Sequence, residues 1–279
     1  KADALKPVVE EFKNEGKPFK MSMTYPVGVH NYVLRYWLAA GGLHPGYYTD
    51  ADTNGLTDAD VQLSVTPPPQ MPAVLEAGTS YGICVNEPWH HQVVFKGVGV
   101  PVTNSYYINN GISDKVFGVT KQWADANPNT TKAIVKALIL AGKWLDASVE
   151  NRDEAAKILS KPEYVGANYD IIRKMLTGTF EYEKGDVREE PDWDVFSRNF
   201  ASYPYYSDAI WWLTQVRRWG QIGPKPDEWY IDLVKKVYLP EVWLSAAQEL
   251  IKEGKMTEAE LPQTDGFKEP SNKFIDEVT

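Results

Sequence analysis

"FKMSMTYPVGVHNYVLRYWLAAGG", residues 19–42, decides the fold. Residues 19–25 read as a short strand, Pro26 and Gly28 make a turn, and 29–42 read as a helix. Val29, Val33, Trp37 and Leu38 share one face of that helix, and Gly41 and Gly42 end it. The order then repeats: "VQLSVT" (61–66) reads as a strand, "PPP" as a turn, "QMPAVLEAG" (70–78) as a helix and "YGICV" (81–85) as a strand. Strands alternating with helices predict an α/β unit with a parallel sheet, whose right-handed crossovers set the helix starts along one sheet edge.

Around this unit, residues 1–16 read as a polar amphipathic helix with no strand before it, the end of another segment whose strands lie outside the sequence given. The α/β unit itself occupies 17–120. From 121 to 279 the pattern turns helical, with a long helix from Pro128 carrying Ile134, Leu138, Ala141 and Leu145 on one stripe. Further helices are expected at about 151–161, 168–176, 205–219, 226–238 and 240–253, and "TDGFKEPSNKFIDEVT" reads as an exposed tail.

The chain has 279 residues and a formal charge of −9, which argues against nucleic acid as a partner and leaves room for a local cationic pocket. Ten tryptophans and sixteen tyrosines suit tight packing or cleft walls. The single cysteine, Cys84, sits in an apolar run and excludes an intrachain disulfide. No apolar run approaches the roughly 18 residues of a membrane span.

Three motifs invite chemistry and each has a plainer reading. "GTSYG" (78–82) matches the nucleophile pattern, but a helix precedes Ser80 and a strand follows it, the reverse of what that motif needs. "DADTNGLTDADV" (50–61) opens like a calcium loop with Asp50, Asp52 and Asn54 alternating, yet Val61 holds the place of the bidentate glutamate. Weak Ca2+ binding at Asp50, Asp52 and Asn54 is the most it supports. In "EPWHHQVVFKG" (87–97) the adjacent His90 and His91 project about 100° apart on a helix, with no third ligand spaced to join them. No metal is therefore expected there. Glu87, Pro88 and Trp89 end a strand and turn the chain, and Lys96 flanks a β-like "VVF" run.

The strand-to-helix turns make a better site. "TYPVGVH" leaves free backbone N–H groups at the helix start around Gly28, an arrangement suited to an anion, and His30 adds a side-chain donor. "TPPPQMP" repeats the turn, with Gln70 as an amide on the same edge. On residue types alone the plainer readings weigh more: capping or packing for His30, a solvated turn for Gln70 and a surface role for Lys96.

"TYPVGVHNYVLRYWLAAGG", "VTPPPQMPAVLEAG", "NEPWHHQVVFKGVGVPV", "KVFGVTKQWADANPNTTKAIVKALI", "TGTFEYEKGD" and "YPYYSDAIWWLTQVRRWGQI" together resemble the nitrate- and bicarbonate-binding proteins of cyanobacterial-type ABC importers. The resemblance covers almost the whole chain. It implies a type II periplasmic-binding-protein fold, here one α/β lobe plus a helical part returning to the other lobe. The implied function is capture of nitrate, with nitrite as a second ligand, in a cleft between lobes, without catalysis. It implies partners in an ABC permease and its ATPase, and a periplasmic location with a lipid anchor supplied by a segment outside this chain. His30 matches the family's ligand histidine, Gly28 its backbone contact, and Lys96 the lysine that nitrate-binding members present, a position that is acidic in bicarbonate-binding members. Nitrate has acceptors only, whereas bicarbonate carries an O–H that needs an acceptor, so a lysine favours nitrate. Bicarbonate capture and a binding-protein-like regulatory domain of the transporter ATPase are the alternatives, with a hydrolase built on Ser80 more remote.

Overall fold

A computed structural model describes residues 1–111, 113–190, 192–269 and 274–276. At its centre lie three short parallel strands, β1 (Phe19–Met23), β4 (Val61–Val65) and β5 (Gly82–Ile83), in the order β4-β1-β5. Met21 aligns with Leu63 on one side and Gly82 on the other. All three strands therefore end on one edge. From that edge the chain turns into α2 (Val29–Ala40), α3 (Met71–Glu76) and α4 (Trp89–Lys96), as the alternating pattern predicts.

Between α2 and β4 an antiparallel hairpin of β2 (Tyr47–Thr49) and β3 (Asp52–Thr57) covers the outer face of α2. This explains why α2 is buried from Asn31 to Leu38 and not along one stripe. Arg35 is fully buried there and donates to Asn31 Oδ1 (2.8 Å), Pro45 O (3.0 Å), Gly46 O (2.6 Å) and Gly55 O (3.2 Å), with its guanidinium over the Tyr48 ring. The planar fork of arginine is what lets one side chain satisfy so many carbonyls. In the hairpin, Asp52 accepts from the N–H groups of Asn54 (3.0 Å) and Leu56 (2.8 Å) and from Thr57 Oγ1 (2.9 Å). Both of its carboxylate oxygens thus serve the turn itself, and the hairpin, not a helix–loop–helix, holds the sequence that opens like a calcium loop.

The N-terminal helix α1 (Lys6–Asn14) packs beside β1. After a loop region come α5 (Lys121–Ala126), α6 (Pro128–Ala147), α7 (Val149–Leu159) and α8 (Tyr169–Leu176), then a hairpin of β6 (Thr179–Glu183) and β7 (Asp186–Glu189), then α9 (Tyr206–Arg218), α10 (Asp227–Val237) and α11 (Pro240–Lys252). The expected helices lie within two residues of these bounds. On α6, however, the buried residues are Thr131, Ile139 and Gly142: Ile139 joins the α11 core of Trp243, Ala246, Ala247 and Leu250, and Gly142 lies against Phe196. The predicted stripe through Leu138 and Ala141 is one residue out of phase and faces an open groove, because this helix is apolar on two sides.

Two further expectations change. Residues 93–95 are helical and not β-like: Val93 and Val94 are buried against the body of the lobe, and that packing overrides their β propensity. The tail also returns. Ile275 donates to Ile108 O (2.9 Å), Phe274 and Ile275 pack on the core around Leu34 and Tyr36, and Phe274 bridges Asn109. Likewise α9 packs on α2, with Trp219 O accepting from Tyr48 N–H (2.9 Å) and Gln221 from the Tyr32 hydroxyl (2.5 Å). Residue 120 marks a change in element type, and the helical part packs on the α/β lobe across it.

Candidate functional site

The edge where the strands end opens into a groove of about 2330 Å³. Its polar end is lined by His30 from the first turn of α2, by Cys84, Asn86 and Glu87 after β5, by His90 of α4, and by Asp114 and Lys115 of the following loop. The remainder is largely apolar, with Val100, Val102, Val116, Phe117 and Leu138 exposed along it. That volume exceeds the few hundred to 1,000 Å³ of an ordinary small-ligand pocket, so only the polar end has the scale of a small anion.

Gly28 is the N-cap of α2, with extended backbone, and Asn31 and Tyr32 already donate to its carbonyl. A Cβ there would sit 3.2 Å from Tyr25 O, so the turn is close-packed around the glycine. His30 lies beside it. Its Nδ1 is 3.0 Å from Thr24 Oγ1, and burial pushes its pKa down to about 4, so the ring is neutral at pH 7. In the tautomer in which the threonine hydroxyl donates to Nδ1, the ring proton is on Nε2, a donor for an acceptor-only ligand.

The structure does not bring the other two expected residues to this end. Gln70 is exposed in the turn before α3 and is absent from the groove lining. Lys96 is exposed in the last turn of α4, just before Gly97 in the left-handed conformation that ends the helix. Eight residues of helix span about 12 Å, so Lys96 sits at the opposite end of α4 from the sheet edge. Among the cations that line the groove, Lys115 stands beside His30 at its polar end, paired with Asp114 at 2.7 Å.

The other motifs settle into structure. Ser80 is buried, bonded to Ser22 Oγ (3.0 Å) and donating to Gly82 O (2.8 Å), with α3 before it and β5 after. Among the described residues no base hydrogen-bonds to it. Burial pushes the Cys84 thiol up to about 12, which makes it a poor nucleophile.

The profile of the NMT1-like family matches residues 1–160. The chain belongs to that family. Among characterised proteins it is 36% identical over 263 residues to the nitrate/nitrite binding protein NrtA of Nostoc sp. PCC 7120, covering 93% of this chain and 55% of that protein. It is also 34% identical to the nitrate import ATP-binding protein NrtC of Synechocystis sp. PCC 6803, covering 82% of this chain and 32% of that one. Among solved structures, the periplasmic nitrate-binding protein NrtA from Synechocystis PCC 6803 superposes with a TM-score of 0.82 at 32% identity, covering 94% of this chain and 63% of that one. The fold of the chain is therefore that of a periplasmic binding protein of this family. The chain spans about half the length of the curated relatives it matches.

In this family member the sequence reading missed Glu87. It sits in the first segment after β5, lines the groove, and meets both histidines of α4: His90 Nδ1 contacts its Oε1, and His91 Nδ1 lies 2.9 Å from its Oε2. The signal was present as E-x-x-H-H. Residues at i+3 and i+4 both face position i across a helical turn, and here the two imidazoles also come together, with ring centroids 4.0 Å apart.

Proposed function

We propose that the chain is the ligand-binding part of an ABC importer's solute receptor, taking nitrate, with nitrite as a second ligand, at the polar end of the groove. The observation that carries this is the similarity to nitrate/nitrite binding proteins over nine-tenths of the chain, joined to a strand-end edge lined by a neutral histidine and a helix start. His30 Nε2–H and the backbone around Gly28 serve as donors to an anion whose oxygens only accept. Nothing in this reading calls for catalysis. The receptor works outside the cytoplasm, in the periplasm, and passes the anion to a permease served by an ATPase. The long apolar stretch of the groove, too large for a small anion, is the surface on which the rest of such a receptor packs.

A second reading has one observation behind it. Glu87 puts a carboxylate in the groove while Lys96 is outside it, and a carboxylate can accept the O–H of bicarbonate. Calorimetry on the full-length protein at fixed pH separates the two. Nitrate is expected to bind at one site, with bicarbonate unable to displace it. His30→Ala is expected to weaken binding about tenfold or more, the size of one lost hydrogen bond in a water-poor site. Heat on bicarbonate titration with none for nitrate would overturn the nitrate assignment.

A further inference from the structure

Glu87, His90 and His91 form a cluster that the proposed capture of nitrate does not use. One ligand atom from each lies within 4.8 Å of those of the other two. Their side chains are 10%, 14% and 2% exposed. His90 Nε2 and His91 Nε2 find no hydrogen-bond partner among the described residues, and Glu87 Oε1, in contact with His90 Nδ1, makes no hydrogen bond of ordinary geometry. Among the described residues the ion-pair contacts of the Glu87 carboxylate are with the two imidazoles, so a buried carboxylate faces two rings that carry a formal charge only when protonated. Such an arrangement is costly for a purely structural purpose.

We propose that Glu87, His90 and His91 bind one divalent first-row transition ion, of which Zn2+ is the representative. Two imidazole nitrogens and one carboxylate oxygen suit such an ion, whereas Ca2+ and Mg2+ prefer all-oxygen shells. A tetrahedral ion with bonds of about 2.0–2.2 Å holds its ligands about 3.3 Å apart, within reach of small side-chain rotations from the observed spacing. The helix supplies the preorganisation: Glu87 precedes the first turn of α4, and His90 and His91 reach back to it from one turn on.

The surroundings fix the rings from the other side. Phe180 stacks on His90 with centroids 4.6 Å apart and meets His91 edge-on at 5.4 Å, and Trp193 packs edge-on against His90 at 6.0 Å. An apolar shell of this kind holds imidazole ligands in place and excludes water. Glu87 and His90 line the groove, so a fourth position on the ion opens toward it. Three protein ligands with one open place is the arrangement of a reactive or ligand-accepting zinc and not of a closed structural one.

The test uses the full-length protein freed of metal by a chelator, with no nitrate present, so that its outcome is independent of the anion reading. Calorimetry with ZnCl2 is expected to give one equivalent bound with a micromolar or tighter Kd, and no comparable heat with Ca2+ or Mg2+. Co2+ added to the wild-type protein is expected to show the intense visible bands of a four- or five-coordinate N/O site. Glu87→Gln and His91→Asn are each expected to weaken Zn2+ at least 100-fold. Retention of wild-type zinc affinity in both variants, or a Co2+ spectrum that stays that of the hexaaqua ion with wild-type protein, would overturn the proposal. The cobalt arm needs no variant, so misfolding of a substituted protein cannot shelter the idea.

Discussion

At the scale of single residues, His30 carries a pH dependence whose sign can be worked out. Its folded pKa is about 4 against an ordinary 6.5, with burial as the main cause and the Asp114 charge opposing it. Between those values the unfolded chain binds a proton that the folded chain refuses, so His30 weakens the fold as pH falls from 6.5 toward 4, and adds nothing further below that. Asp194, pushed up to about 6 by burial, works in the opposite direction over part of the same window. The His30→Gln variant isolates the histidine. Its urea midpoint, compared with the wild type at pH 7 and at pH 5, is expected to show the variant gaining on the wild type at the lower pH; an unchanged difference would mean that His30 titrates normally. The place of His30 and Gly28 at the sheet edge was legible because a glycine turn between strand and helix fixes where the first helical residues lie. Arg35 was not, because arginine is ordinarily a surface residue and nothing in its neighbours announces three converging carbonyls. Lys96 was expected at the site from the family resemblance alone, and reading "VVF" as extended left unseen the turns of helix that carry the lysine away from the sheet edge.

At the scale of elements, the places where helices touch depend on single small residues. Gly41, at the C-cap of α2, has an ordinary backbone with φ −87°. It is glycine because a Cβ there would lie 2.5 Å from Asp3 N and 2.6 Å from the Ala2 backbone and side chain. The 2–5 turn that leads into α1 thus lies directly on the end of α2, where Ala2 is fully buried. Gly41→Ala is expected to push that turn away and destabilise the protein by about 1–3 kcal/mol, the usual cost of overpacking a tight contact. Limited proteolysis is expected to cut near Lys6 sooner in the variant, with α2 itself intact by circular dichroism. Equal proteolysis and melting temperature in both proteins would sink the idea. The sequence showed that Gly41 ends a helix. It did not show what meets it, because a contact 38 residues away leaves no local pattern. The phase error on α6 has the same origin: periodicity finds an apolar stripe, but which of two stripes is covered depends on where α11 arrives.

At the scale of the whole molecule, the parallel pairing and the shared edge were legible, since alternation of strands and helices leaves few topologies, whereas the strand order and the way the helical part closes onto the α/β lobe were not. Trp211, Trp212, Phe274 and Ile275 join the core built on Leu34, Tyr36, Trp37 and Leu38, and Trp219 shares a second small core with Tyr32 and Tyr48. On the other side, Phe180 and Trp193 cover His90 of α4. Residues from beyond position 120 therefore complete the core of the lobe that precedes it, and a chain cut at 120 would expose the apolar surfaces they cover. The expected consequence is a single cooperative unfolding transition for the 279-residue chain, because opening either part removes packing from the other. Tryptophan fluorescence reports mainly from residues after 120, where eight of the ten tryptophans lie, while far-ultraviolet circular dichroism reports from helices in both parts. The two probes are expected to give coincident urea midpoints, and a fragment of residues 1–120 is expected to show no cooperative transition. Midpoints separated by more than their error, or a fragment that melts cooperatively, would show that the lobe is complete without its helical partner and that the packing of α9 on α2 is incidental to its stability.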